Sequence, residues 1–295
     1  MASQVLHRQA PLERPEFVRP VADVPADLRI VQTLPWYERL YALDPVRQFS
    51  LLLILAAIWQ VYALWLDNNL VLPSFASTLD AWWDSVARGP LLLRAWTSIK
   101  LLLMGYAAGI LVAAILTLLA ISTRIGTDLL NLLTAMFNPL PAIALLPLAL
   151  LWFGLGEKSL IFVLIHAVLW PLALNAYTGF QGVSETLRLA GQSFGLRHLR
   201  FAIQILIPAA FPAILTGLKI GWAFAWRTLI AAELVFGVSS GGGGLGWFIF
   251  ENRNQLEIPT VFAGLLTVIV IGLAVESVIF RTIERITVRR WGMQR

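Results

Sequence analysis

The stretch Leu101-Leu-Leu-Met-Gly-Tyr-Ala-Ala-Gly-Ile-Leu-Val-Ala-Ala-Ile-Leu-Thr-Leu-Leu-Ala-Ile121 decides the fold of this protein. It contains no charged side chain. A helix needs about 20 predominantly apolar residues to cross the roughly 30 Å of hydrocarbon in a bilayer. The stretch therefore predicts a membrane-spanning helix.

Five further apolar runs lie on either side of this stretch. They cover residues 49–66, 129–153, 160–180, 213–236 and 261–280. The composition agrees with burial in lipid, because 58% of the residues are hydrophobic and only 13% are charged, against roughly 25% charged in an average soluble domain. We predict an all-α polytopic membrane protein with six transmembrane helices and both termini on one side.

The distribution of Lys and Arg predicts which side that is. With the N-terminus inside, 15 of the 22 basic residues fall in cytoplasmic segments. They are Arg8, Arg14, Arg19, Arg29, Arg39, Arg47, Arg124, Arg188, Arg197, Arg200, Arg281, Arg285, Arg289, Arg290 and Arg295. Because basic residues concentrate in the cytoplasmic loops of membrane proteins, both termini are predicted to be cytoplasmic.

Prolines interrupt several of the predicted spans. Within the spans lie Pro139, Pro141, Pro147 and Pro171, and just before the run 213–236 lie Pro208 and Pro212. Each removes a backbone donor and favours a kink. Kinked helices suit a protein that lines a path and moves, although membrane helices also tolerate proline without such a role.

The segment between the fourth and fifth spans has a different character. Residues 183–208 read Val-Ser-Glu-Thr-Leu-Arg-Leu-Ala-Gly-Gln-Ser-Phe-Gly-Leu-Arg-His-Leu-Arg-Phe-Ala-Ile-Gln-Ile-Leu-Ile-Pro. The pattern predicts an amphipathic helix, a break at Gly195 and a second, basic helix. Small residues at Ala190 and Gly191 would let this helix dock closely in a groove on another subunit. An ordinary surface loop is the alternative.

This segment resembles the coupling loop of ATP-binding-cassette (ABC) importer permeases. In that family a Glu-Ala-Ala triplet is followed by a Gly and then by an Ile-x-Leu-Pro element, for which residues 205–208 read Ile-Leu-Ile-Pro here. Leu189 stands where the family usually has Glu, at the first position of the triplet. The resemblance implies contacts with an ABC ATPase at Leu189, Ala190, Gly191, Gly195 and Leu196.

The resemblance extends over about residues 70–290. Supporting motifs are Leu72-Pro-Ser74, Leu150-Leu-Trp-Phe-Gly-Leu-Gly156, Pro208-Ala-Ala-Phe-Pro212, Gly217-Leu-Lys219 and residues 226–233. Together they look like the nitrate/sulfonate/taurine branch, whose members import small, mostly anionic molecules. Residues 1–47 form a longer N-terminal extension than this branch usually has.

The resemblance implies the type I importer permease (MetI-like) fold and a set of partners. Residues 1–47 are expected to be a cytoplasmic extension, residues 48–285 the transmembrane permease domain with its coupling loop at 184–204, and residues 286–295 a cytoplasmic tail. The implied assembly is a lipid-embedded homodimer in a bacterial inner membrane, with ABC ATPase subunits and a periplasmic substrate-binding protein. The chain itself is then no enzyme, because ATP is bound by the partner.

Other kinds of site lack the residues they need. Gly241-Gly-Gly-Gly-Leu-Gly246 is rich in glycine, but no Lys-Ser/Thr follows it as in a phosphate-binding loop, so we interpret it as a flexible outer loop. With no Cys and three His at unsuitable spacing, the sequence predicts no metal, cofactor or catalytic site. Basic residues beside apolar runs are topology signals, which argues against nucleic-acid binding.

Charged residues within a span are costly in lipid and tend to face a cavity or a partner. The translocation-path candidates are Arg227, Trp226 and Glu233. Arg227 and Glu233 lie six residues apart and cannot share a helix face, whereas Trp226 and Glu233 can. Arg227 would favour anions in the path, or would form a structural ion pair with another helix or a second protomer. His166 and Asn175 are expected to make interhelical hydrogen bonds.

Two other functions compete with the importer. A secondary carrier driven by an ion gradient would show two related halves and coupling carboxylates within the spans. No repeat is evident, and carboxylates within the spans are few. A membrane-embedded enzyme would need a catalytic cluster, which the spacing does not offer. Nitrate, sulfonates, taurine, bicarbonate, aromatic carboxylates and vitamin precursors all remain open as the solute.

Overall fold

The computed structural model describes residues 41, 43–236 and 243–290, and within these ranges the regular structure is helical. The chain divides into two compact units, Met1–Leu55 and Ala56–Arg295. In the first unit, the described residues form the beginning of helix α1 (Asp44–Leu66). Most of the predicted extension 1–47 and the end of the predicted tail 286–295 lie outside the described residues.

The remaining helices follow in chain order. They are α2 (Phe75–Ala87), α3 (Leu91–Ser122), α4 (Arg124–Phe137), α5 (Leu146–Phe153), α6 (Glu157–Gln181), α7 (Glu185–Ser193), α8 (His198–Phe201), α9 (Ile207–Phe236), α10 (Leu245–Asn254), α11 (Ile258–Ala274) and α12 (Arg281–Glu284). A 3₁₀ turn, Ala142–Leu145, precedes α5. Turns of π-helix, Ala202–Leu206, Val275–Phe280 and Arg285–Arg289, join α8 to α9, join α11 to α12 and follow α12.

Five helical stretches are long and apolar enough to cross a membrane, and a sixth arises if one bent pair is counted as a single span. The five are Val46–Leu66, Leu91–Ser122, Glu157–Gln181, Ala202–Val235 and Ile258–Val288. The bent pair is Arg124–Phe137 with Ala142–Phe153. The predicted all-α membrane fold is therefore confirmed, with a broken helix at the third span.

The single helix predicted over 129–153 has to be corrected to a pair bent by 88°. The break falls at Asn138-Pro-Leu-Pro141. Proline lacks a backbone donor, and a residue that precedes proline is pushed out of the α conformation, so two prolines in alternate positions stop the helix. The prolines predicted a kink, and the structure has a full break.

Helix α9 begins earlier than the sequence predicted. Pro208 and Pro212 were placed before the fifth span, but both lie inside α9, which starts at Ile207. The π-helical turn Ala202–Leu206 directly precedes it. In a π-helical turn each N–H bonds to the carbonyl five residues earlier instead of four. A turn with this altered pattern can accommodate a proline such as Pro208, which has no N–H to donate.

Helix α6 is the centre of the fold, packed by α3 and α9. On α3, a Cβ atom at Gly105 would come within 2.5 Å of Leu164, and one at Gly109 within 2.7 Å of Val168. Glycines four residues apart let two membrane helices approach at backbone distance. On α9, Gly217 allows the same close contact with α6, near Leu172.

Replacing Gly105 by Val should lower the thermal stability of the detergent-purified protein. The added methyl groups would collide with Leu164, and overpacking of a tight interior costs about 1–3 kcal/mol. The matched control is Ala107→Val, because Ala107 is exposed on the same helix. Equal melting temperatures for the two variants would contradict the close α3–α6 contact.

Candidate functional site

The predicted coupling segment, residues 184–204, contains a short helix anchored to the end of α6. Ser184 caps α7 by accepting a hydrogen bond from the Leu187 N–H. Arg188 reaches back and donates from Nη2 to the Phe180 carbonyl at 2.7 Å and from Nε to the Val183 carbonyl at 3.3 Å. These bonds satisfy carbonyls that a helix end leaves without partners, and they hold α7 against α6.

A glycine in the left-handed conformation ends α7. Gly195 has φ +76°. Its N–H donates to the Gln192 carbonyl, and the Leu196 N–H donates to the Gly191 carbonyl. This pair of bonds is the Schellman arrangement, in which glycine is favoured because it has no Cβ. The predicted helix and break at Gly195 are both present.

The other predicted coupling residues divide between an inward and an outward face. Gly191 is buried, and a Cβ there would lie 2.9 Å from the Phe201 ring and 3.0 Å from Ile205. Leu189 and Ala190 are exposed, and Leu196 is half-buried. The glycine thus packs α7 onto the helix that follows it, while Leu189 and Ala190 face away from the protein.

Sequence reasoning missed Phe194, which follows α7 and precedes Gly195. Its side chain is 86% exposed. In the sequence it looked like one more apolar residue of an amphipathic helix. A large aromatic side chain with this exposure is a candidate anchor for a binding partner.

The second helix of the coupling segment is continuous with a membrane span. Helix α8 passes through the π-helical turn into α9, and the apolar stretch runs from Ala202 to Val235. One helical element therefore connects the Gly191 contact with the opposite end of the fifth span.

Arg227 lines a cavity at the break of the third span. The cavity has a volume of about 330 Å³. Its walls come from the break and the 3₁₀ turn, from α6 and from α9; they include Asn138, Pro139, His166, Trp170, Phe224, Arg227 and Thr228. Irregular backbone is tolerated at membrane depth where it borders a cavity, as it does here.

The Arg227 side chain is exposed and lies along its own helix. Nε donates to the Ala223 carbonyl at 3.2 Å, and the guanidinium carbon lies 4.9 Å from the centre of the Phe224 ring. Throughout residues 43–236 and 243–290, no carboxylate lies within 4.0 Å of it. Within the described part of one chain, Arg227 therefore makes no ion pair.

Trp226 and Glu233, the other two path candidates, are buried and do not line this cavity. Trp226 donates from its indole nitrogen to the Val268 carbonyl of α11 at 3.3 Å. Glu233 accepts hydrogen bonds from the Ser98 hydroxyl at 2.8 Å and from the Gly246 N–H at 2.9 Å. Both therefore hold helices together in this structure.

The expectation for His166 and Asn175 is wrong. Asn175 donates from its side-chain amide to the Pro171 carbonyl of its own helix. Neither ring nitrogen of His166 has a hydrogen-bond partner among the described residues. The imidazole instead makes edge contacts with the rings of Phe137 and Trp170.

The described part of the glycine-rich segment is packed, contrary to the flexible loop that we expected. Gly241 and Gly242 lie outside the described residues, whereas the run 243–246 is buried. A Cβ at Gly244 would overlap the Glu233 carboxylate, and one at Gly246 would lie 2.6 Å from Glu233 Cβ. Glycine is needed here for close approach and not for mobility.

The sequence also matches a known family of membrane proteins. Residues 105–290 match the family of binding-protein-dependent transport system inner membrane components, a range that includes the coupling segment and the cavity. The chain belongs to this family. It is the transmembrane permease subunit of an ABC importer.

Three relatives show how much of the permease is shared. A putative ABC transporter permease protein of Methanocaldococcus jannaschii is 30% identical over 78% of this chain and 87% of its own. The nitrate import permease protein NrtB of Synechocystis sp. is 28% identical over 81% and 88%. The putative aliphatic sulfonates transport permease protein SsuC of Escherichia coli is 29% identical over 80% and 88%.

These matches confirm the nitrate/sulfonate/taurine branch that the sequence motifs predicted. A permease of this family is not an enzyme, because the ATPase resides in a partner subunit, and its transport depends on a binding protein. The gradient-driven carrier and the membrane enzyme are therefore set aside.

Replacing Gly195 by Val should open the turn after α7. A residue with a Cβ costs about 1–2 kcal/mol in the left-handed conformation, so the amides of Gly195 and Leu196 should exchange roughly tenfold faster. Gly195→Asn should have a smaller effect, since Asn tolerates this conformation. Hydrogen exchange with mass spectrometry provides the measurement.

The matched control for this prediction is Gly182→Val at the end of α6. Gly182 has no positive φ, and a Cβ there would have ordinary contacts of 3.4 Å or more. Equal exchange in the Gly195 and Gly182 variants would show that the left-handed conformation does not hold the turn.

Proposed function

We propose that this permease imports a small anionic solute, of the nitrate, sulfonate, taurine or bicarbonate kind, and that Arg227 attracts the anion in the translocation path. The observation that carries the proposal is a cation on a spanning helix that lines a cavity and has no carboxylate partner in the described residues. The nitrate and sulfonate permeases among the relatives support the same class of solute.

The energetics of a charge in a membrane favour this role for Arg227. An arginine at the middle of a spanning helix costs about 2.5–3.5 kcal/mol in insertion measurements. Most intramembrane charges offset this cost by pairing or by facing a water-filled cavity. Arg227 borders the cavity, where its positive potential can lower the barrier for a passing anion.

The size of the cavity fits a small solute. At about 330 Å³ it lies at the lower end of the range for small-molecule pockets, roughly 300–1,000 Å³. Its walls are mostly apolar, and the polar side chains of Asn138, Arg227 and Thr228 lie on two sides, at the break and on α9. The ring nitrogens of His166 and Trp170 are buried and do not face it. A cavity of this kind can orient an anion without binding it tightly, as a transport path requires.

The permease would work as a homodimer in a bacterial inner membrane, with both termini and the coupling segment in the cytoplasm. The inside excess of Lys and Arg supports this orientation. Apolar side chains such as Leu151 and Leu155, which are 79% and 70% exposed in the single chain, would be covered by lipid or by the second copy. A periplasmic binding protein would deliver the solute on the opposite side.

The outward face of α7 would contact the ATPase. Leu189 on α7 and Phe194 directly after α7 are 55% and 86% exposed. Exposed apolar side chains of this kind can enter a groove on a partner, and the contact does not need the Glu that the family usually has at the position of Leu189. ATP would be bound by the partner alone, and the permease would hold no cofactor.

Arg227→Gln should reduce solute uptake by about tenfold or more, since it removes the positive charge that borders the cavity and attracts the anion. Arg227→Lys should keep most of the uptake because it retains the charge. Uptake is measured in proteoliposomes holding the permease, its ATPase and its binding protein. The solute is first chosen by screening nitrate, taurine and butanesulfonate for binding to that binding protein.

The matched control is Lys100→Gln. Lys100 is an exposed cation on the spanning helix α3 and does not line the cavity. Uptake by Arg227→Gln at the rate of the wild type would overturn the role of Arg227. Equal losses in the two variants would point to net charge and not to the cavity.

Phe194→Ala should weaken binding of the ATPase by tens of fold, as truncation of a central aromatic anchor commonly costs about 2 kcal/mol or more. Co-purification and biolayer interferometry with the ATPase measure the effect. Ile125→Ala is the control, because Ile125 is 81% exposed at the start of α4 and lies outside the coupling segment. Unchanged affinity in Phe194→Ala would remove the residue from the contact.

A further inference from the structure

Glu233 is a fully buried carboxylate that holds three helices together. It lies on α9 and accepts from Ser98 of α3 and from the Gly246 N–H at the start of α10. Ser98 in turn accepts from the Leu245 N–H at 2.8 Å. The four groups form a closed set, in which the first two N–H groups of α10 are each bound by a side chain of another helix.

We propose that Glu233 is a positioning residue that fixes α10 to the far end of α9, so that movement of the coupling segment reaches the outer surface of the permease. The inference rests on the proposed function, because it takes α7 as the place where the ATPase acts. It assigns Glu233 to transmission of movement instead of to the translocation path.

The contact between α9 and the glycine segment is made at backbone distance. Side chains usually separate two packed elements and can slide past each other. Here the backbone of Gly244 lies directly against the carboxylate, and the backbone of Gly246 lies against Glu233 Cβ. A Cβ on Gly246 would also come within 2.5 Å of the Ile230 carbonyl, so the helix backbone itself forms the other side of the contact.

Helix α9 joins this contact to the coupling segment without interruption. At one end, Gly191 of α7 packs against Phe201 and Ile205, which lead through the π-helical turn into α9. At the other end is Glu233. A displacement of α7 therefore acts on an element whose far end holds α10 through one direct hydrogen bond, from the Gly246 N–H to Glu233, and through a backbone contact.

Helix α10 forms one wall of a polar cavity of about 340 Å³. Arg94 of α3 donates to the Gly243 carbonyl at 3.3 Å and pairs with Glu251 of α10 at 3.2 Å. Asp84 and Arg88 at the end of α2 form the facing wall. Under the proposed orientation this cavity opens on the outer side, so a shift of α10 changes the surface that the binding protein meets.

The absence of cysteine from the sequence allows a direct test. Arg253→Cys places one thiol on α10, at an exposed residue that does not line the polar cavity. The thiol is labelled with an environment-sensitive fluorophore in the complex with the ATPase. The signal change on adding ATP and vanadate is then divided by the ATP turnover of the same preparation measured without vanadate.

We expect Glu233→Leu to reduce this ratio at least fivefold, since it removes both hydrogen bonds at similar size. Glu233→Gln, which keeps the shape and one acceptor, should retain about half. Gly221→Ala is the matched control on α9 and should respond fully, because a Cβ there has ordinary contacts of 3.4 Å or more.

A full response in both Glu233→Leu and Ser98→Ala would overturn the proposal. An equal loss of response and of ATP turnover in Glu233→Leu and Glu233→Gln would also overturn it, as that pattern belongs to a residue needed only for folding. Transmission of movement from α7 into α9 is tested by Gly191→Val in the same assay. A full response there would overturn the path from α7 into α9. Unchanged ATPase affinity in Phe194→Ala would instead overturn the proposed ATPase contact, whatever the Glu233 variants show.

Discussion

The close approach of α3 and α9 to α6 is the contact on which the rest of the permease depends. Helices in lipid gain little from hiding apolar surface, because lipid chains are as apolar as leucine, so their association relies on fit and on hydrogen bonds. Gly105 and Gly109 supply the fit on one side of α6, and Gly217 supplies it on the other. With α6 enclosed, the polar groups that transport needs can be placed around a rigid centre.

The second constraint concerns backbone groups without helical partners, which cannot face lipid. The structure confines such groups to protected places. The break at Asn138-Pro-Leu-Pro141 borders the cavity that Arg227 lines, so irregular backbone and an intramembrane charge share one site. The amides at the start of α10 are bound by Ser98 and Glu233. Polar side chains thus lie at the same places where the backbone departs from helical structure.

Local patterns foretold much of this structure, and long-range contacts account for most of what they missed. Apolar runs and the Gly195 break follow from composition and turn chemistry, and they were predicted correctly. Prolines marked a kink in the third span, but whether a helix bends or breaks depends on what packs against it. The burial of Glu233 could not be predicted, since its partner Ser98 is 135 residues away. The glycine-rich run 241–246 suggested mobility because sequence alone does not show a neighbouring backbone.

The left-handed glycine after α7 also limits how the coupling segment can deform. A helix that ends in an ordinary residue can lengthen by winding up the chain that follows it, and such growth would absorb part of an applied displacement. Gly195 at φ +76° interrupts the right-handed path, and the two bonds across the turn keep α7 from merging with α8. The two helices of the segment consequently stay distinct, and under the proposed ATPase contact a displacement of α7 is not absorbed by elongation of the helix.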